Sequence, residues 1–191
     1  MTRGPFPAST TKTTHAGEII FSDIKGPFPT PGLNGGWRYF VTYIDHYTRT
    51  VCTYLLKRKS DQLTAFKAYE ARMFNKFKCK VKCIETFQTD NAGEYLSNAC
   101  KSYYTEKGIH HHTIVAYNPE SNGIPERLNR TIMELAESVR FHANLPREYW
   151  SLSILYVTYI LNRRPHTALS NKTPIEAWWG HKCNGQRSEN G

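Results

Sequence analysis

Three short runs rich in β-branched and aromatic residues, each closed by turn-forming residues and followed by a change to helical period, restrict this chain to a mixed α/β fold. The first run, Gly17 to Ile24, is stopped by Lys25-Gly26-Pro27. After a loop rich in Pro, Gly and Asn come Trp37 to Tyr43 and Thr50 to Leu56, joined through Asp45-His46-Tyr47-Thr48-Arg49. A connection that short makes the second and third runs a hairpin, so three consecutive antiparallel strands are expected. From Ser60 to Phe77 the apolar residues Leu63, Phe66, Met73 and Phe77 recur on one helical face, with Ser60 placed to cap it.

The run from Lys78 through Ile84 and Phe87 reads as a fourth strand ending at Asp90, and Tyr95 to Glu106 as a helix stopped at Lys107-Gly108. Ile109 to Val115 forms a fifth strand and Ala116 to Gly123 a loop. Pro125 suits the first turn of a helix, where an amide has no partner in any case, so the next helix is expected to start there. Its inward face carries Leu128, Leu135 and Val139, with Ile132 beside them. Asn122, Glu126 and Arg130 share one more exposed stripe at i, i+4 and i+8. A further helix follows Pro146 to about Asn162, where Tyr149, Trp150, Ile154, Val157 and Leu161 are core or subunit-contact residues. Thr173-Pro174-Ile175-Glu176 has capping-box spacing for a short last helix. Residues 1–16 read as an extended arm, 17–180 as the folded unit and 181–191 as a disordered tail.

Lysine and arginine number 25 against 16 aspartates and glutamates, a net charge of +9 spread along the chain. Such an excess suits a polyanionic partner, nucleic acid ahead of anionic membrane, and equally suits a basic soluble surface. No apolar run is long enough to span a bilayer, the N-terminus lacks a secretory signal, and the five cysteines have no disulfide-framework spacing. An intracellular protein, nuclear or cytoplasmic, is expected.

Asp23 and Asp90 each close a strand, and Glu126 falls in the expected first turn of a helix, with residues 91–125, 35 of them, between Asp90 and Glu126. Carboxylates gathered at strand ends are hard-oxygen ligands for Mg²⁺ or Mn²⁺, which serve phosphoryl transfer on nucleic acid. Each taken alone reads more readily as a turn residue or a helix-terminal charge than as a ligand. Asp45 also follows an apolar run, and residue pattern alone leaves it level with Asp23. His110-His111-His112 alternates along a strand, which points His111 away from its neighbours and makes these structural histidines. The lysines at 78, 80 and 82, with Lys57 to Lys59, fit phosphate tracking or a solvated face. Cys79 and Cys83 fit core thiols.

The sequences FSDIKGP (Phe21 to Pro27), RYFVTYIDHYTR (Arg38 to Arg49), TDNAGEY (Thr89 to Tyr95), NPESNGIPERLNRT (Asn118 to Thr131), LPREYW (Leu145 to Trp150), LNRRP (Leu161 to Pro165) and TPIEAWWG (Thr173 to Gly180) occur in the order found in one family. The chain resembles the catalytic core of retroviral-type integrases, specifically those of copia-type LTR retrotransposons, including their D,D-35-E spacing. The resemblance implies a ribonuclease H-like fold, a metal triad of Asp23, Asp90 and Glu126, and Asp45 as a structural turn residue. It further implies DNA contacts by Asn122, Gly123, Arg127 and Arg130, and Mg²⁺ or Mn²⁺ as cofactor. The implied partners are element ends and target DNA, a second copy in a homodimer or higher multimer, and other domains of a polyprotein. Ala92, Glu120 and Pro125 depart from the family pattern without removing a ligand. The implied activity is 3′-end processing and strand transfer; the alternative is a remnant that binds nucleic acid or a partner without integrating.

Overall fold

The structure is a computed structural model that describes residues 12–77, 84–113 and 119–180, the side chains of Phe77 and of residues 119–122 excepted. The lysines at 78, 80 and 82, Cys79, Cys83, most of the expected arm and the expected tail lie outside the described residues. Strands β1 (Ile19–Lys25), β2 (Tyr39–Asp45) and β3 (Val51–Leu56) form an antiparallel meander. Helix α1 (Gln62–Phe77) leads to β4 (Thr86–Thr89), α2 (Asn98–Glu106) and β5 (His110–Thr113). Both β4 and β5 join in parallel, giving the order β3-β2-β1-β4-β5. The chain ends in α3 (Pro119–His142), α4 (Trp150–Leu161) and α5 (Pro174–Trp179).

Alternation along the strands divides the core in two. Ile20, Val41, Tyr43 and Phe87 face α1 and α2, where they meet Phe66, Tyr69, Met73 and Tyr104. Tyr43 stacks on Tyr69 with centroids 4.9 Å apart, and Phe66 meets Phe87 at 4.3 Å. Phe21, Phe40, Ile44 and Val51 face the other way, onto Ile132 and Ala136 of α3 and Trp150, Ile154 and Val157 of α4. Asn162 ties α4 to the sheet edge, its side chain accepting from Val51 N and donating to Val51 O.

Three local expectations are corrected. Ser60 does not cap α1: Asp61 accepts the Arg58 amide at 3.0 Å, which starts a 3₁₀ turn at Lys59–Asp61 that feeds the helix. Helix α3 does not start near Pro125 but at Pro119, so Asn122 and Gly123 are helical rather than in a loop, and Glu126 lies past the first turn. Proline costs the helix one amide, yet Ile124 and Leu128 on the same segment pack into the core against the sheet, and that burial holds the early turns in place. Leu135 is exposed; Ala136 takes the inward place after Ile132, a step of four that follows the 3.6-residue turn. The expected capping box is present: Thr173 Oγ1 accepts from Glu176 N and Glu176 Oε2 accepts from Thr173 N.

Gly26 turns the chain out of β1 at φ +125°, and a Cβ there would lie 2.5 Å from Arg38 O, so no other residue fits without moving the β1–β2 pairing. At the opposite end of β1, His46 is 2% exposed beneath Phe21, its Nδ1 facing Thr13 Oγ1 and its Nε2 without a hydrogen-bond partner among the described residues. Burial, helped by Arg49 and opposed by Glu18, lowers its pKa from 6.5 to about 4. Between those values the unfolded chain holds a proton that the folded chain does not, so stability rises with pH across the window. Urea unfolding should show a loss on the order of 2 kcal/mol as pH falls from 7 to about 4. In His46→Phe that component should vanish; an unchanged pH slope would refute the assignment. No helix among the described residues is long and apolar enough to cross a membrane.

Candidate metal and nucleic-acid site

The parallel register of β1 and β4 sets Phe21 opposite Gln88. Asp23 comes two residues further along β1, and Asp90 follows directly on the last residue of β4, near enough for the charge of Asp23 to act on it. Alternation puts Asp23 on the face covered by α3, where Phe21 packs and Asn129 reaches it. Asp23 is only 14% exposed, and its Oδ2 accepts from Asn129 Nδ2 at 3.1 Å and pairs with Lys25 Nζ at 2.8 Å. Asp90 accepts the Ala92 amide on Oδ1 at 3.2 Å, which folds the chain back just past β4. Burial pushes the Asp90 carboxyl above the ordinary carboxylate range, and the Ala92 amide pulls it back. The charges of Asp23 and Glu94 raise it further, with Lys25 opposing.

Asn129 is fully buried, and its Oδ1 accepts from Thr42 Oγ1 at 3.0 Å while its amide reaches Asp23. One side chain thus fastens α3 to β2 and β1 together. Its role is not among those the motifs assign; its signal in the sequence is a polar residue between Leu128 and Ile132 on the inward side of an amphipathic helix, since a polar group so buried needs a partner.

Glu126 stands one turn before Asn129, but its side chain is 57% exposed and its Oε1 pairs with Arg130 Nη2 at 3.3 Å. The structure thus brings Asp23 and Asp90 together and turns Glu126 outward. Among the described residues no cluster of three or more His, Cys, Asp or Glu side chains could hold a metal ion. Asp23 and Asp90 by themselves suit a hard divalent cation, being neighbouring oxygen donors whose mutual repulsion is relieved by the Lys25 ammonium. Arg127 and Arg130 are exposed on α3. The Arg127 guanidinium lies across Gly123, where a Cβ would come within 2.5 Å of Nη1. The Asn122 side chain lies outside the described residues.

Asp45 is elsewhere. Antiparallel pairing sets it opposite Ile20, at the far end of β1 from Asp23. There it is fully buried and accepts from Gly17 N at 2.7 Å, Thr48 N at 2.6 Å and Thr48 Oγ1 at 2.8 Å. His111 alone of its triplet turns inward, contacting Thr89 Oγ1 at 3.0 Å and stacking on Phe87.

The family profile described as Integrase core domain matches residues 13–119. The retrovirus-related Pol polyprotein from transposon RE1 of Arabidopsis thaliana is 34% identical over 181 residues, 94% of this chain and 12% of that protein. Its counterpart from transposon TNT 1-94 of Nicotiana tabacum is 32% identical over 176 residues, 92% of this chain and 13% of that protein. The chain therefore spans about an eighth of these relatives' length. Among solved structures, the HTLV-2 integrase catalytic core domain in complex with magnesium, trimeric form, has a TM-score of 0.61 at 19% identity. That match covers 84% of this chain and 95% of that one. The simian T-cell lymphotropic virus intasome in complex with PP2A regulatory subunit B56 gamma has a TM-score of 0.69 at 19% identity, covering 97% and 62% respectively. The shared architecture is the ribonuclease H-like sheet flanked by helices.

Proposed function

This chain belongs to the integrase core domain family, and from that premise we propose that residues 17–180 form a metal-dependent polynucleotidyl transferase core that trims 3′ DNA ends and joins them to target DNA. The observation that supports the reading is the nearness of Asp23, in β1, and Asp90, just past the end of the parallel neighbour β4, with the Asn129 side chain of the helix that bears Glu126 reaching Asp23. Asp23 and Asp90 would hold Mg²⁺ or Mn²⁺, with Glu126 completing the set once it leaves Arg130. When bound, such cations supply the positive charge that activates an attacking oxygen and steadies the leaving oxygen of a phosphodiester. Asn129 keeps the Asp23 carboxylate oriented through its link to Thr42. Arg127 and Arg130, with Asn122 and Gly123, would meet the DNA backbone from α3; release of Glu126 leaves Arg130 free for a phosphate. Water attacks in end trimming and the 3′-hydroxyl attacks in joining, so no bond to the protein is formed.

Self-association fits the same reading. Trp150, Ile154 and Val157 are buried core, which leaves Leu152, Leu155, Tyr156, Tyr159 and Ile160 as an exposed apolar stripe on a helix without a charged residue. A second copy would cover such a face.

The outward turn of Glu126 favours one competing reading, a core that binds nucleic acid without performing transfer. A branched DNA that mimics a joined product, incubated with the purified chain and Mn²⁺, separates the two. Transfer should be detected with the native sequence and fall about a hundredfold in Glu126→Gln. Equal behaviour of the two proteins rejects the enzyme reading. DNA affinity that survives the substitution and declines steeply with salt then supports binding alone.

A further inference from the structure

We infer that Lys25 is a built-in counter-ion for the carboxylate pair, occupying Asp23 Oδ2 in the metal-free protein and competing with a divalent cation for that oxygen. The inference rests on the metal-site reading above and adds a residue that opposes loading. Lys25 ends β1 two positions after Asp23, so strand alternation delivers both side chains to the same face. Its Nζ lies 2.8 Å from Asp23 Oδ2, while Asn129 approaches the same oxygen from α3. The ammonium also acts on Asp90, so it sits where its charge serves both carboxylates.

Two half-buried carboxylates close to one another repel, and a cation beside them offsets that repulsion. Lysine suits a removable one. Its charge is compact, its four-carbon stem is flexible, and the side chain is 30% exposed, so the ammonium can swing into solvent without disturbing the core. A magnesium or manganese ion binds carboxylate oxygen at roughly 2.1 Å. An ammonium on that same oxygen would stand within a few ångströms of the metal and repel it, so loading requires Lys25 to leave. Asn129 is neutral and can stay, keeping Asp23 aimed through either state.

Mn²⁺ affinity of the metal-free chain, read from the electron paramagnetic resonance signal of free Mn²⁺ in a titration, tests this without recourse to catalysis. Lys25→Met should bind Mn²⁺ about tenfold more tightly than the native sequence, with Lys25→Gln behaving alike should the methionine perturb folding. Lys25→Arg, which keeps the charge, should stay within about twofold of native. Asp23→Asn should abolish binding. Tight binding by Lys25→Arg, or no gain in Lys25→Met and Lys25→Gln while Asp23→Asn still loses the ion, overturns the counter-ion role and leaves the metal site standing. Identical titrations for the native, Lys25→Met and Asp23→Asn proteins overturn the metal site and the counter-ion role together.

Discussion

Asp90→Asn is expected to lower metal-dependent strand transfer about a thousandfold or more while leaving the unfolding midpoint near that of the native chain. The amide is the same size as the carboxylate, and its oxygen can still accept from Ala92 N, so the turn after β4 survives. What is lost is one of two negative charges beside each other at the strand ends. A cation held by Asp23 alone would bind weakly, and several kcal/mol of transition-state stabilisation depend on that ion. Because burial and the charges of Asp23 and Glu94 already disfavour ionised Asp90, its neutral replacement relieves repulsion in the metal-free protein. A small gain in thermal stability paired with lost activity is therefore the expected signature. Branched-DNA transfer assays alongside thermal unfolding measure both. Retained activity in Asp90→Asn would remove the basis for the proposed chemistry.

Asp45→Ala should do the converse, costing about 3 kcal/mol of folding stability and leaving Mn²⁺ affinity of the folded fraction unchanged. Its two oxygens collect the Gly17 amide, the Thr48 amide and the Thr48 hydroxyl, all in a place closed to solvent. Alanine would strand two buried amides, each costing about 1–3 kcal/mol, and would loosen the β2–β3 turn together with the entry to β1. Burial raises the Asp45 pKa even against these hydrogen bonds, which marks how far water is excluded. Urea denaturation gives the stability loss, and Mn²⁺ titration of the folded protein gives the control. A loss of metal binding without a loss of stability would reverse the roles assigned to Asp23 and Asp45.

These two aspartates show how far the residue pattern reached. Each closes an apolar run at a strand end, and nothing local separates them. Resemblance to the integrases selected Asp23, and the separation in space follows from strand direction: β2 runs antiparallel to β1, so its C-terminal Asp45 returns to the N-terminal end of β1. By contrast, β4 runs parallel to β1, so its end arrives beside Asp23. The same limit explains Asn129. Helical period placed it near the buried stripe, but its partners Asp23 and Thr42 lie 106 and 87 residues away in the chain, and only packing of α3 on the sheet joins them.

The amino-acid sequence by itself determined the order and type of the elements and the cap that starts α5, because period, turn residues and capping act over a few neighbouring positions. Tertiary structure alone decided which strand ends meet, where α3 begins despite Pro125, and that Asn129 reaches Asp23. The physical reason is common to all three. Each depends on free energy gained between segments distant in the chain, by burial across the sheet or by pairing of charges, and local pattern records which face a residue occupies without recording what stands opposite it.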